Sequence, residues 1–259
     1  MNPQTVPPAP APDPDLVRFY ENDARWYSGQ LRLEHIMEST PQATQRKISL
    51  ESFDLVRRAR PEVQCFNELL IQYPVAGQRQ PGRVVPDNFI VLHPAPLGPL
   101  TSFPIPTLPA RPFFVLEYVS KHNVRKDYED NLVRYEQALR VPYYLVFYPD
   151  ADEMTLFRLA ADRYEAVGPN DAGRVTVPEL ELEAALVDGW VRFWFRGALL
   201  PLPAELADQL DAARRERDAA RVELTTTRQE RDAERAARAT AEQEIARLKE
   251  LLARAGGAP

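Results

Sequence analysis

Residues 113–148 decide the fold, and they read FFVLEYVSKHNVRKDYEDNLVRYEQALRVPYYLVFY. Both ends of this stretch, 113–119 and 142–148, are dense in aromatic and β-branched residues that barely alternate with polar ones, which is typical of strands covered on both faces. Between them, apolar residues recur at spacings of three and four, as on one face of a helix: Val124, Tyr128, Leu132, Tyr135 and Leu139. A strand, a crossover helix and a second strand form a βαβ unit, so the sequence predicts an α/β fold.

Weaker patterns on either side predict the remaining elements of the domain. Residues 16–38 should contribute short elements that cap it, and Ser49 should cap a helix over 49–60 that Pro61 ends. The seven prolines of 94–112 indicate a loop. Strands outside the βαβ unit are predicted at 66–73, 84–92, 154–159, 164–167 and 190–195. We expect those after Asp150 to form hairpins that extend the sheet.

The two ends of the chain differ from its middle. Residues 1–14 contain six prolines and almost nothing to bury, so we expect a disordered tail before a domain over 15–202. Residues 203–254 keep one heptad register, with apolar residues at both ends and Thr, Glu and Arg between them, and 255–259 form a flexible end. This pattern predicts a long charged helix rather than a tight, dry coiled coil. The helix is also a candidate contact between two copies of the chain in a homodimer.

The composition excludes several classes of protein. The 259 residues include 38 acidic and 32 basic ones, for a net charge of −6, so binding to nucleic acid by bulk positive charge is disfavoured. Three histidines and one cysteine are too few for a structural zinc site. No apolar run is long enough to cross a membrane and no secretion signal is visible, so we expect a cytoplasmic protein without a membrane partner.

Two carboxylates interrupt apolar strands: Asp87 in the second predicted strand and Glu117 in the third. A buried ionised carboxylate needs a partner. The two acids are either ligands of a shared Mg²⁺ or Mn²⁺ ion, or they lie at strand ends in water or beside an arginine. Lys121 falls on the same side of an extended strand as Glu117, where its ammonium group could position or deprotonate a water molecule. Glu68 is either a third ligand or faces solvent.

Several short motifs follow one another in a fairly specific order. They are Pro86-Asp87 in a strand, Glu117-Tyr118-Val119-Ser120 ending the next, Asp127 opening a helix, Tyr135 within it, and Val141-Pro142-Tyr143-Tyr144 starting another strand. In this order the sequence resembles the Uma2-like (DUF820) endonucleases of the PD-(D/E)XK nuclease superfamily, over about residues 45 to 200. The charged helix after Pro203 is similar to the C-terminal extension of many members. The resemblance implies a restriction-endonuclease-like core, with a central mixed β-sheet flanked by helices, that hydrolyses phosphodiester bonds in DNA.

The resemblance also implies roles for individual residues. Asp87 and Glu117 match the two metal-binding acids, and the backbone carbonyl of Tyr118 completes the metal shell by analogy. The superfamily's lysine belongs at the position of Val119, and the lysine that many members carry on the following helix belongs at the position of Asn131. Neither position holds a lysine in this chain.

Because both expected lysines are missing, Lys121 and, further along, Lys126 are the candidates to replace them. The family usually shows a serine at the position of Ser120, which this chain keeps. Asp127 either caps the helix or takes part in the site. Tyr135 lies on the apolar face of the helix, which indicates packing rather than chemistry.

Two hypotheses for the function follow. The first is a Mg²⁺-dependent DNA endonuclease in which Asp87 and Glu117 hold the cation and Lys121 assists the attacking water. The second is a catalytically degenerate nuclease fold that serves binding or assembly through its C-terminal helix. The missing lysines and the heptad register favour the second hypothesis. Metal binding that Asp87→Ala abolishes would be the result that supports the first.

Overall fold

The computed structural model describes residues 11–30, 39–119 and 130–255. The helices in these ranges are α1 (Pro14–Gln30), α2 (Thr40–Ala59), α3 (Asn131–Val133), which a π-helical segment (Arg134–Leu139) continues, and α4 (Pro203–Ala255). Two 3₁₀ turns lie at Ile105–Thr107 and Pro178–Leu180. The strands are β1 (Val63–Asn67), β2 (Ile71–Tyr73), β3 (Gly82–Val84), β4 (Asn88–Leu92), β5 (Phe103–Pro104), β6 (Pro112–Tyr118), β7 (Tyr143–Tyr148), β8 (Glu153–Ala160), β9 (Arg163–Ala166), β10 (Val175–Val177), β11 (Leu182–Val187), β12 (Trp190–Phe195) and β13 (Ala198–Leu199).

The central sheet has six strands in the order β1-β4-β6-β7-β8-β9. β6 and β7 run parallel, with Leu116 opposite Leu145, and every other neighbouring pair is antiparallel. Between β6 and β7 the described part of the chain is helical, as α3 and the π-helical segment. The α/β fold with a mixed central sheet is therefore confirmed.

A separate hydrophobic core covers each face of the central sheet. On one face pack α2, through Phe53 and Val56, and the four-stranded sheet β10-β11-β12-β13. On the other face pack the three-stranded sheet β3-β2-β5 and the π-helical segment, whose Tyr135 and Leu139 are buried. Because both faces are covered, β6 and β7 are buried over most of their length, in agreement with their nearly continuous apolar sequences.

The strands predicted at 66–73 and 84–92 are wrong as single elements. Each stretch is divided between two sheets, with β1 and β4 in the central sheet and β2 and β3 in the three-stranded one. The first break falls at Glu68, whose φ of 46° is left-handed and whose amide donates to the carbonyl oxygens of Pro86 (3.1 Å) and Asp87 (3.3 Å). The second break falls at Pro86, which has no amide proton to give to a sheet. Apolar residues lie on both sides of each break, so the hydrophobic pattern does not reveal it.

The helix predicted over 49–60 begins earlier, at Thr40. Ser39 caps it, since its hydroxyl accepts a hydrogen bond from the amide of Gln42 (3.4 Å). Ser49 lies inside α2, where its hydroxyl donates to the carbonyl oxygen of Gln45 (3.0 Å), so it is not the cap. The earlier start brings the first turn of α2 to the end of the central sheet.

Other expectations also need correction. Over 16–30, where short elements were expected, α1 is a single helix, and it begins at Pro14, the last residue of the predicted tail. Residues 31–38, the rest of that prediction, lie outside the described ranges. The proline-rich segment 94–112 contains β5 and a 3₁₀ turn. The hairpin β8–β9 extends the central sheet as predicted, whereas β12, predicted at 190–195, belongs to the separate four-stranded sheet. The inward face of β12 packs on α2, so β12 covers one face of the central sheet and does not extend it.

The chain divides into two compact units, Met1–Leu202 and Pro203–Pro259. In the second unit α4 spans 53 residues, and every described side chain from Leu206 to Leu251 is exposed. None of the helices in the described ranges is both long enough and apolar enough to cross a membrane.

Candidate active site

Asp87 and Glu117 lie side by side at one end of the central sheet. β4 and β6 are antiparallel neighbours with Asn88 opposite Leu116, so the residue before β4 meets the residue that follows Leu116. The amide of Asp87 donates to Oε2 of Glu117 (3.1 Å), and the amide of Tyr118 donates to Oδ2 of Asp87 (2.6 Å). Two backbone amides, those of Asp87 and Tyr118, thus link two acids that are thirty positions apart in the sequence, because each amide donates to the carboxylate on the neighbouring strand.

Burial of Asp87 raises the pKa of its carboxyl group from 3.8 to about 6. The negative charge of Glu68 acts in the same direction. Hydrogen bonds from the Tyr118 amide and from Gln42, and one between the carboxyl groups of Asp87 and Glu117, reduce this rise in pKa. Burial therefore disfavours the ionised form of Asp87 more than its hydrogen bonds favour it, and a proton or a cation at this carboxylate would offset that cost.

Glu117 is 5% exposed and is held by two donors from the helix that follows β6. The hydroxyl of Tyr135 donates to its Oε1 (2.6 Å), and Nδ2 of Asn131 donates to the same oxygen (3.3 Å). Arg134 orients Asn131, since its Nη1 donates to the amide oxygen of Asn131 (3.0 Å). Asn131, at the position where the resemblance leads us to expect a lysine, therefore acts here as a neutral donor to Glu117.

Tyr135 both packs and bonds, so the prediction that it only packs is incomplete. Its ring is fully buried, 4.9 Å from that of Tyr144, while its hydroxyl reaches Glu117. Burial, followed by the charge of Glu117, raises the pKa of Tyr135 well above its usual value. The hydroxyl therefore keeps its proton at neutral pH and donates to the carboxylate of Glu117.

Gln42 is a part of the site that the sequence does not reveal. Its Nε2 donates to Oδ1 of Asp87 (3.1 Å) from the first turn of α2. A neutral residue forty-five positions from its partner carries no motif, and its placement depends on the helix starting at Thr40 rather than at Ser49. The capping pattern Ser39-Thr40-Pro41 is the signal from which that start could have been read.

Glu68 lies close enough to affect Asp87, but its carboxylate points to another partner. Its Oε2 is 2.8 Å from Nη1 of Arg46, and its side chain is 46% exposed. Glu68 is therefore partly solvated, as one alternative expected, and it does not form a three-acid metal group with Asp87 and Glu117 in the described part of the chain. Its negative charge nevertheless contributes to the raised pKa of Asp87.

The remaining predicted site residues fall outside the described ranges. These are Ser120, Lys121, Lys126 and Asp127. Tyr118 ends β6, and its contact with Asp87 is made by its amide. The role of its carbonyl oxygen as a metal ligand stays a prediction.

The donor set fits a hard divalent cation. Mg²⁺ is commonly bound through one or two carboxylates, with water and substrate oxygens filling the other positions. Asp87 and Glu117 supply those two carboxylates. Within residues 11–30, 39–119 and 130–255 no group of three or more His, Cys, Asp or Glu side chains could hold a metal, so the described part of the chain offers this pair of acids and not a larger cluster.

Comparisons with solved structures and with protein-family models each give a match to this chain. A crystal structure of a putative nuclease belonging to DUF820 from Anabaena variabilis ATCC 29413 is similar, with a TM-score of 0.43 and 16% identity over 56% of this chain and 75% of that chain. None of the curated proteins compared matches this chain. The family model Uma2, described as "Putative restriction endonuclease", matches residues 18–189. Since that match spans most of the chain, the protein belongs to the Uma2 family, as the motif order in its sequence indicates.

Proposed function

We propose that this member of the Uma2 family is a Mg²⁺- or Mn²⁺-dependent endonuclease that hydrolyses phosphodiester bonds in DNA. The observation that carries the proposal is the convergence of Asp87 and Glu117 at the adjacent ends of β4 and β6. Family membership supports nuclease activity in general. Beyond nuclease activity in general, we propose a divalent metal cofactor, DNA as the substrate and a cytoplasmic location, as the sequence leads us to expect.

Asp87 and Glu117 would hold the cation, which supplies Lewis acidity toward a phosphate oxygen and lowers the pKa of a bound water. The surrounding residues fix the two carboxylates before any ligand arrives. Tyr135 and Asn131 hold Glu117, and the Tyr118 amide and Gln42 hold Asp87. Such outer partners orient ligands and typically change metal affinity about 10–100-fold when they are removed.

Two groups bear on proton movement, one during cation binding and one during the proposed reaction. Asp87, with a pKa of about 6, is half protonated near that pH, so near or below pH 6 a cation that binds there displaces a proton. Lys121, four residues after Glu117, is the sequence-based candidate for the group that positions or deprotonates the attacking water. Tyr135 is not a carrier, because its raised pKa keeps it a donor.

Plasmid cleavage tests the proposal. We expect the wild-type protein to convert supercoiled DNA to nicked or linear forms with Mg²⁺ or Mn²⁺ and not with EDTA. Asp87→Asn and Glu117→Gln keep the shapes of the side chains and should lose at least the roughly 100-fold that removal of an outer partner alone costs. Asp162→Asn is the matched control, since its carboxylate is 86% exposed and pairs only with Arg140 among the contacts described. Cleavage that survives Asp87→Asn would contradict the proposal.

A second candidate function is a non-catalytic binding or assembly module on the same fold. It is favoured by Asn131, which stands where a lysine is expected and is already bonded to Glu117. Calorimetry separates the two candidates. Cation binding that requires Asp87, combined with no cleavage of any DNA form, favours the non-catalytic module. If the wild type does cleave DNA, Lys121→Ala tests the proposed role of Lys121, because cleavage should be lost if this residue assists the attacking water.

A further inference from the structure

The apolar side of α4 is exposed along the described length of the helix. Each described side chain between Leu206 and Leu251 is exposed, including Leu210, Leu224 and Ile245, which are each at least half exposed. Most helices in proteins gain their stability by burying an apolar face. A helix of 53 residues, roughly 80 Å long at 1.5 Å per residue, is thus left with an apolar stripe and no described neighbour along it.

The apolar stripe follows a heptad register. Leu206 and Leu210 are four residues apart, which assigns Leu206 to position d and Leu210 to position a. The same positions hold Leu224, Ile245 and Leu248 further along. The stripe is interrupted by four charged residues, namely Arg217, Arg231 and Arg238 at a and Glu234 at d. Three of them, Arg231, Glu234 and Arg238, occupy consecutive core positions, so a coiled coil is least stable there. Polar residues at core positions lower the stability of a coiled coil and select its register and its number of strands.

The two positions that flank the stripe carry opposite charges. Position g, on one side, holds the acidic residues Glu216, Glu223, Glu230 and Glu244. Position e, on the other side, holds the basic residues Arg214, Arg221, Arg228, Arg235 and Lys249, with Glu242 as the exception. The helix therefore has one acidic edge and one basic edge along its apolar stripe.

We infer that α4 pairs with α4 of a second copy of the chain, in parallel and in register. In a parallel pair, position g of one helix meets position e of the other helix five residues further on. The opposed residues are then Glu216 with Arg221, Glu223 with Arg228, Glu230 with Arg235 and Glu244 with Lys249, and each pair occurs twice in the dimer. An antiparallel pair instead places g against g and e against e, so acidic residues face acidic ones and basic residues face basic ones.

The charge pattern also identifies the occupant of the stripe as a second copy. A helix of unrelated sequence would need a basic edge and an acidic edge with the same spacing, which α4 itself already supplies. Two of the interrupting arginines have partners in the parallel arrangement, because Arg217 and Arg231 at a lie beside Glu216 and Glu230 at g of the other helix.

Parallel pairing brings the two copies of Pro203 to the same end of the helix pair. If the proposed function holds, each dimer then presents two nuclease sites from that end.

Charge reversal in the full-length protein tests the inference. We expect the wild type to sediment as a dimer, at twice the chain mass of 29.5 kDa. The triple variant Glu216→Arg, Glu223→Arg, Glu230→Arg turns six interhelical attractions into repulsions. At about twofold for each exposed contact, its dissociation constant should rise roughly 60-fold. The triple variant Asp211→Arg, Asp218→Arg, Asp232→Arg is the matched control. It makes the same change in net charge on the outer positions and should stay a dimer.

Mixing and cross-linking test the orientation. The variant Arg221→Glu, Arg228→Glu, Arg235→Glu should also dissociate alone, and it should form a heterodimer when mixed with the variant reversed at position g. In a Cys65→Ala background, Ala213→Cys and Ala241→Cys should each form a disulfide with a second copy of the same variant. The inference is overturned if reversal at g leaves the dimer intact, if the outer control dissociates equally, or if neither cysteine variant links to itself.

Discussion

Replacing Asp87 by asparagine should stabilise the metal-free protein at pH 8. The pKa of Asp87 is about 6 in the folded protein, against 3.8 for an ordinary aspartate, so the folded state binds the proton more tightly than the unfolded state does. At pH 8 folding must hold the ionised carboxylate in a largely enclosed position beside Glu117. A rise of about two pKa units corresponds to about 3 kcal/mol of lost stability at that pH.

The raised pKa also gives the sign of the pH dependence. The destabilisation is fully present above pH 6, and it disappears as the pH falls toward 3.8, because the carboxyl group then becomes protonated in both states. Asparagine carries no charge at any pH, but its amide oxygen can still accept the hydrogen bond from the Tyr118 amide. We therefore expect Asp87→Asn to gain about 1–3 kcal/mol at pH 8, allowing for one weakened hydrogen bond, and much less at pH 4.

Urea unfolding in EDTA at pH 8 and pH 4 measures this gain, and Mg²⁺ then offsets most or all of it by stabilising only the wild type. At a hundred times its dissociation constant, Mg²⁺ should stabilise the wild type by about 2.7 kcal/mol and leave Asp87→Asn unchanged. Asp162→Asn, on an exposed carboxylate, should show neither effect. The reasoning is refuted if Asp87→Asn is less stable than the wild type at pH 8, or if its gain is the same at both pH values.

Two further substitutions probe the surroundings of the acid pair. Tyr135→Phe removes the donor to buried Glu117 and should cost about 1–3 kcal/mol in urea unfolding and weaken Mn²⁺ binding by about 10–100-fold. Its control, Tyr164→Phe, loses a hydrogen bond to a backbone carbonyl and should leave Mn²⁺ affinity unchanged; equal losses of affinity would contradict the role of Tyr135. Glu68→Gln removes a negative charge near Asp87 and should lower the pKa of Asp87 in a carboxyl-carbon NMR titration, and an unchanged midpoint would exclude that coupling.

The sequence predicts the fold where a hydrophobic pattern has a single reading. β6, the helical connection and β7 were predictable because their apolar runs and helical spacing leave few alternatives. The breaks at Glu68 and Pro86 were not, because each lies inside an apolar run and depends on which sheet the following residues join. Tertiary packing decides that choice, through the three-stranded sheet that covers the second core.

The candidate site shows the same division between local and distant information. Asp87 and Glu117 were predictable because charged residues in apolar strands require an explanation, and the structure brings them together. The hydrogen bonds from Asn131 and Tyr135 to Glu117 depend on how the helix docks on the sheet, which its spacing alone does not fix. The contact made by Gln42 links still more distant parts of the chain, the start of α2 and the residue before β4.

One measurement tests the central claim most directly: a crystal of the protein soaked in Mn²⁺ and examined by anomalous scattering. We expect one anomalous peak within coordination distance of carboxylate oxygens from both Asp87 and Glu117, and no such peak in a crystal of Asp87→Asn. A peak bound by only one of the two acids, or no peak at this end of the sheet, would contradict the claim that the pair holds one cation.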